Sequence, residues 1–208
     1  MRYLLNNPGD VWQLTLQHLQ IVGVSMAIAI LIGVPVGITV HRLRWLEGPV
    51  TSVAGVLYTV PSLALFAVLI PYTGLGVTAA VIALTMYSLL VIIRNTVAGI
   101  DSVDPATIMA SRGMGMTGAQ RLFMVELPLG LPIILAGIRV ATVSNIGIAT
   151  IAAAIGAGGL GTLIFNGIST FNTDQIVAGA ISASVLSLLA DLAIGRLGDL
   201  ARRDMRRA

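Results

Sequence analysis

Five long apolar runs dominate this sequence and restrict what it can fold into. They cover residues 19–40, 50–70, 75–93, 127–155 and 176–195. A helix needs about 20 apolar residues to cross the hydrocarbon core of a bilayer, and each run is about that long. Only 10% of the chain is charged, against about 25% in a typical soluble domain, so lipid must be its main solvent. We therefore predict an all-α, polytopic membrane protein with five transmembrane helices in a single domain, residues 1–208.

The arginines set the orientation of these helices. All 12 basic residues are arginine. With the N-terminus outside, ten of them are cytoplasmic: Arg42, Arg44, Arg94, Arg112, Arg121, Arg196, Arg202, Arg203, Arg206 and Arg207. Cytoplasmic segments of membrane proteins are enriched in basic residues, so we predict an outside N-terminus and a cytoplasmic C-terminus. The pI near 10 then reflects contact with the lipid bilayer, and no nucleic acid is expected as a partner.

The segment 101–127, between the third and fourth runs, carries helix-capping patterns. Asp104 can cap a helix that has Pro105 at its first position, and Thr117 with Gln120 forms a capping box for a second helix. Three glycines interrupt the segment: Gly113, Gly115 and Gly118. We predict a helix, a glycine turn and a second helix on the cytoplasmic side. The pair is either an interfacial helix on the bilayer or a docking element whose methionines offer an adaptable apolar surface.

The same segment resembles the cytoplasmic signature loop of ABC-importer permeases. In that family a triplet of small residues precedes a glycine, and an aliphatic residue, any residue, leucine and proline follow at a fixed spacing. The matching positions here are Met109, Ala110, Ser111, Gly115, Val125, Leu127 and Pro128. Met109 stands where the family usually has glutamate, which leaves this position without an acidic group. The resemblance implies coupling to a partner ATPase through these positions together with Gly113 and Gly118, and we call residues 101–127 the coupling loop.

Four further stretches are similar to one subgroup of these permeases, the importers of glycine betaine, carnitine or choline. They are YTVPSLALF at 58–66, IIRNT at 92–96, LPLGLPIILAGIR at 127–139 and IGAGGLGTLIFNGI at 155–168. The GAGGLG part also resembles methionine importers, so a permease for methionine or another small solute remains an alternative.

The resemblance has several implications. It implies the fold of a type I importer permease in a bacterial inner membrane. It also implies a second permease subunit, two ATP-binding cassette subunits that carry ATP and Mg, and an extracytoplasmic substrate-binding protein. The chain itself is expected to be no enzyme and to hold no cofactor. A phosphate-binding GxxxxGK[ST] loop cannot occur, because the chain has no lysine.

Eight residues are predicted to line the pathway or to form a gate: Tyr58, Pro61, Tyr87, Arg139, Asn145, Gly158, Gly159 and Gly161. Arg139 serves the pathway or a gate, belongs to a structural ion pair, or extends its side chain to the membrane–water interface, and Asp191 is expected at that interface, paired with an arginine. Asn145 either wets the pathway or joins helices. The glycine-rich segment 156–161 is expected to be a re-entrant or gate segment on the outer side, with an ordinary loop as the alternative.

Other classes of function fit less well. His18 and His41 are far apart in the sequence, so no metal site is predicted. A secondary transporter is disfavoured because the chain shows no internal repeat and offers only Asp191 as an intramembrane acid. Any two-fold symmetry must therefore come from a second subunit. A membrane-embedded enzyme is disfavoured because no catalytic constellation is evident.

Overall fold

A computed structural model describes the backbone of residues 2–205 and the side chains of residues 3–199. Within that part all regular structure is helical: α1 (Arg2–Asn6), α2 (Pro8–Arg42), α3 (Glu47–Thr59), α4 (Ser62–Thr73), α5 (Val77–Asp101), α6 (Pro105–Gly113), α7 (Gly118–Arg121), α8 (Leu127–Ile151), α9 (Gly161–Ser169) and α10 (Thr173–Met205). A π-helical turn, Leu122–Glu126, joins α7 to α8 without a break. Of the arginines predicted to be cytoplasmic, Arg206 and Arg207 lie outside the described residues, as do the side chains of Arg202 and Arg203.

Four helical stretches are long and apolar enough to cross a membrane: Pro8–Arg42, Val77–Asp101, Gly118–Ile155 and Thr173–Asp199. The predicted second crossing, residues 50–70, is not one continuous helix, because Pro61 interrupts it. Helices α3 and α4 meet there at a bend of 99°. Proline disfavours helical backbone in the residue before it, and Val60, which precedes Pro61, is extended with φ −64° and ψ 129°. One crossing is therefore made of two half-length helices.

The directions of α2 and α5 show that the bent pair crosses only once. The two helices run parallel, because Ser25 accepts a hydrogen bond from Thr85 near one end and His41 pairs with Asp101 at the other. The chain leaves α2 at the Asp101 end and enters α5 at the opposite end. The α3–α4 pair must therefore return it across the bilayer.

The remaining crossings alternate in direction. Helix α8 runs antiparallel to α5, since Gly130 lies beside Gly99 and Asn145 lies beside Ser88. Helix α10 runs antiparallel to α8 and pairs its Asp191 with an arginine of α8. Five crossings result, and the chain begins and ends on opposite faces, as predicted.

Glycines allow the central helices to pack at short distance. A Cβ atom on Gly99 of α5 would lie 2.7 Å from the carbonyl oxygen of Gly130 in α8. A Cβ atom on Gly37 of α2 would lie 2.6 Å from the Cβ of Thr96 in α5. Small residues of this kind let helix backbones approach closely where lipid supplies no hydrophobic drive. Helix α5 is consequently buried between α2 and α8 and forms the centre of the bundle.

Candidate functional sites at the two faces of the bundle

The coupling loop has the local structure that its capping residues predict. The side chain of Asp104 accepts a hydrogen bond of 2.8 Å from the backbone N–H of Ala106 at the start of α6. Both bonds of the capping box are formed, from Gln120 N–H to Thr117 Oγ1 at 3.2 Å and from Thr117 N–H to Gln120 Oε1 at 2.8 Å. Between the two helices Gly115 has φ +79°, a conformation that side chains with a Cβ rarely adopt. These interactions give the loop a defined shape.

A buried carboxylate ties the loop to the rest of the bundle. Glu126, only 3% exposed, accepts hydrogen bonds from Arg42 Nη2 at 2.9 Å and from Arg121 Nε at 2.7 Å. Arg42 also donates to the carbonyl oxygen of Gly118 at 3.1 Å. Because Arg42 ends α2, the cytoplasmic end of that helix is bonded directly to the start and the end of the second half of the loop, at Gly118 and Glu126. Sequence reasoning missed this role of Glu126, and its only signal was its place just before the Leu127–Pro128 pair.

The coupling loop exposes a large apolar surface. Four large side chains there are 65–75% exposed: Met109, Met114, Phe123 and Met124. Of the predicted coupling residues, Ala110, Gly113, Gly118 and Pro128 are also exposed, and Leu127 is half-buried at the start of α8. Ser111 is buried instead, and its hydroxyl donates to the carbonyl oxygen of Ile108 at 2.7 Å. The loop therefore presents a methionine-rich surface on a fixed backbone.

The bend between α3 and α4 brings three predicted pathway residues together. The hydroxyl of Tyr87 donates a 2.6 Å hydrogen bond to the carbonyl oxygen of Val60, next to Pro61. The rings of Tyr58 and Tyr87 meet edge to face, with centroids 6.4 Å apart and an angle of 78°. Tyr87 is buried and Tyr58 is exposed, so the pair joins the α5 core to the surface of the bent crossing.

Arg139 and Asn145 both have partners within the subunit. Arg139 donates two hydrogen bonds to the carboxylate of Asp191, so it forms the structural ion pair that was one of its three expected roles. Asn145, 1% exposed, donates to Ser88 Oγ at 2.8 Å and to the carbonyl oxygen of Leu84 at 3.2 Å. In this position Asn145 joins α8 to α5.

The glycine-rich segment forms a tight turn near the outer face. Gly156, Gly158 and Gly159 have φ of +79°, +82° and +74°. Gly161 begins α9 so close to Thr150 of α8 that a Cβ atom there would collide with the backbone. The turn therefore requires glycine for its conformation at three positions and for space at a fourth.

Two side chains of α2 hold this turn. The N–H of Gly159 donates to Gln17 Oε1 at 3.0 Å, and the N–H of Leu160 donates to His18 Nδ1 at 3.3 Å. His18 Nδ1 must then be unprotonated, so His18 Nε2 donates its hydrogen to the carbonyl oxygen of Ile146, 3.1 Å away. Sequence reasoning considered His18 only as a metal ligand, because nothing local links it to a turn 142 residues later.

The turn lies beside the outer part of α2, where the apolar run 19–40 begins. His18 is ten residues into α2, which at 1.5 Å per residue places it about 15 Å from the start of that helix. The following helix α9 runs back outward and meets α10, where Gly179 packs on Leu163 and Ile164. Irregular backbone inside a membrane bundle requires protein partners, and Gln17 and His18 provide them. That the segment is re-entrant or forms a gate stays a prediction.

Comparison with known proteins identifies the family. Residues 29–207 match the family of binding-protein-dependent transport system inner membrane components. The chain belongs to this family. Relatives of this inner membrane component include the osmoprotectant import permease protein OsmW of Salmonella typhimurium, 46% identical over 95% of this chain and 94% of the relative. The glycine betaine/carnitine/choline permease protein OpuCB of Bacillus subtilis is 39% identical over 92% of this chain and 88% of its own.

The structural comparison agrees on the fold. A chain from inward-facing conformations of the MetNI methionine ABC transporter superposes with a TM-score of 0.82 and 25% identity, covering 92% of this chain and 94% of its own. This inner membrane component therefore has the type I importer permease fold that was predicted. The family also establishes that it is a transport protein of the inner membrane, working with a binding protein.

Proposed function

We propose that this chain is the membrane-spanning subunit of an ATP-driven importer for osmoprotectants such as glycine betaine, choline or carnitine. The observation that carries the proposal is identity of 37–46% to several permeases bearing those names, across most of both chains. A methionine permease is the alternative, but its support is a fold match at 25% identity. We therefore assign the substrate class from the osmoprotectant permeases, which are more similar to this chain in sequence.

Two such permease subunits, identical or homologous, would enclose the pathway, and two ATP-binding cassette subunits would dock on the coupling loops. The exposed Met109, Met114, Phe123 and Met124 suit this docking, because methionine adapts to an apolar partner surface. ATP and Mg would be held by the partner, and this chain would perform no catalysis. An extracytoplasmic binding protein would deliver the solute to the opposite face.

Closure of the ATPase pair would move the coupling loop, and two connections would carry that motion onward. The Glu126–Arg42 bond leads to α2, and the continuous π-helical turn leads to α8. Motion of this kind is a rigid-body switch between two arrangements of packed helices. On the outer side the turn at Gly158, Gly159 and Gly161, held by α2, would act as the gate segment.

Uptake in cells that lack other osmolyte importers tests the substrate class. Cells with the complete importer should accumulate radiolabelled glycine betaine, choline or carnitine, and deletion of this subunit should abolish that uptake. Intact uptake of all three after deletion, with loss of methionine uptake, would establish the alternative.

A further inference from the structure

One sequence stretch, IIRNT at residues 92–96, contains a polar residue that packing does not explain. Thr96 is buried against Gly37 of α2, and its hydroxyl donates to the carbonyl oxygen of Ile92 at 2.8 Å. Asn95 packs against Gly137 of α8 and donates to the carbonyl oxygen of Val91 at 2.8 Å. These two residues hold α5 to its neighbours. Arg94 contacts neither interface and lies on an exposed part of the helix.

Arg94 faces a cavity of about 400 Å³ between α3 and α5. The cavity is lined by Glu47, Thr51, Arg94, Val97, Ala98 and Asp101. Its volume lies in the range of about 300–1,000 Å³ that is usual for small-molecule sites. Arg94 precedes the end of α5 by seven residues, so its backbone lies about 10 Å inside the cytoplasmic end of the helix.

Each of the two carboxylates of this cavity already has a basic partner. Asp101 accepts hydrogen bonds from Arg44, at 2.9 Å to Nη1, and is paired with His41 at 2.7 Å. Glu47 lies 3.5 Å from Arg44 Nη1. Among the side chains of residues 3–199, none forms a hydrogen bond or ion pair with Arg94. Among the described side chains that line the cavity, Arg94 is therefore the charged group without a bonded partner.

We propose that Arg94 binds the carboxylate of the transported zwitterion at the cytoplasmic end of the pathway, an inference that rests on the proposed function. A guanidinium binds a carboxylate through two parallel hydrogen bonds, and such charge-assisted bonds are stronger than neutral ones. Of the three solutes, glycine betaine and carnitine carry a carboxylate, and choline has a hydroxyl group in its place. Arg94 is thus a specificity residue that favours the first two.

The difference between these solutes gives the test. Initial uptake rates of glycine betaine and choline are measured in cells that carry wild type, Arg94→Gln, Arg94→Lys or Arg196→Gln, at equal membrane abundance. Arg196 is the matched control, because it is an exposed arginine near the same end of the bundle and lies outside the cavity. Because the binding protein is the same in all strains, any change in the ratio of betaine uptake to choline uptake is caused by the permease. Arg94→Gln should lower this ratio roughly tenfold, the effect of losing one charged hydrogen-bonding partner. Arg94→Lys should lower it less, and Arg196→Gln should leave it unchanged.

Several results would overturn the inference. An equal fall in both uptakes with Arg94→Gln would mean that Arg94 supports the fold or binds the phosphate of an acidic lipid. Reconstitution with and without anionic lipid separates those two causes, since only the lipid site depends on lipid charge. If cells with the wild-type importer take up choline but not glycine betaine, Arg94 is not a carboxylate site, and the proposed function still stands. If wild type takes up betaine alone, Arg94→Gln must lower its uptake about tenfold, with partial recovery by lysine. No wild-type uptake of either solute would refute the proposed function itself.

Discussion

The carboxylate of Glu126 is bonded to the guanidinium of Arg42, 84 residues earlier in the chain. Through this bond the end of the first crossing helix and the entrance to the fourth share one buried charge. The coupling loop is joined through the chain to α5 before it and to α8 after it. It is also bonded to Arg42 of α2, the first of the five crossings.

Loss of the charge at position 126 should weaken both the fold and coupling. Removing one partner of a buried pair costs about 3–5 kcal/mol, and partial exposure of Arg42 reduces that figure. We expect Glu126→Gln to lower the thermal unfolding temperature of the purified subunit by several degrees and to reduce solute-stimulated ATP hydrolysis by the complex.

The other glutamate of the chain, Glu47, provides the control variant. Glu47 is half exposed and lies 3.5 Å from Arg44, so Glu47→Gln should change stability by less than about 1 kcal/mol. Equal unfolding temperatures for the two variants would show that the buried pair has no special role.

A bulky residue at Gly115 should block docking without affecting membrane insertion. Gly115 has φ +79° in open space, so Gly115→Trp strains the turn and adds a large side chain to the exposed surface. We expect normal membrane abundance, weaker co-purification with the ATPase and loss of transport. Gly118→Ala is the matched variant, since Gly118 starts α7 and nothing lies within 4 Å of its added Cβ. Wild-type transport by Gly115→Trp would show that this loop does not couple the subunits.

His18 should stabilise the outer face far more than His41 stabilises the inner one. His18→Ala leaves the Leu160 N–H without a partner and removes a second hydrogen bond to the Ile146 carbonyl, and an unsatisfied buried group costs about 1–3 kcal/mol. His41→Ala leaves Asp101 still bonded to Arg44. Thermal unfolding of the two variants in detergent measures the difference. A smaller loss of stability for His18→Ala than for His41→Ala would contradict the structure of the turn.

Single cysteines test the orientation, since the native chain has none. Phe171, 95% exposed between α9 and α10, should be outside, and Met114 in the coupling loop should be inside. We expect an impermeant thiol reagent to label Phe171→Cys in intact cells and Met114→Cys only after lysis. The reverse pattern would invert the topology.

Local signals in the sequence predicted the parts of the fold that local interactions determine. The five crossings follow from apolar length, and the caps at Asp104 and Thr117 follow from side chains that bond within three residues. Pro61 marked an interruption, but the size of the bend depends on contacts with α5, such as the bond from Tyr87. The roles of Glu126 and His18 were not predictable, because their partners lie 84 and 128 residues away. Asp191 was expected to pair with an arginine and an ion pair was one alternative for Arg139, and the fold pairs these two residues with each other.

The contact between Gly99 and Gly130 has a mechanical consequence. The two backbones touch there, and Asn95 packs directly on Gly137, so few side chains separate α5 and α8 along this part of their contact. The two helices are therefore expected to tilt together as one rigid body when the coupling loop moves. The backbone change that permits this tilt must then lie elsewhere, and we expect it at the bend between α3 and α4, at Val60 and Pro61.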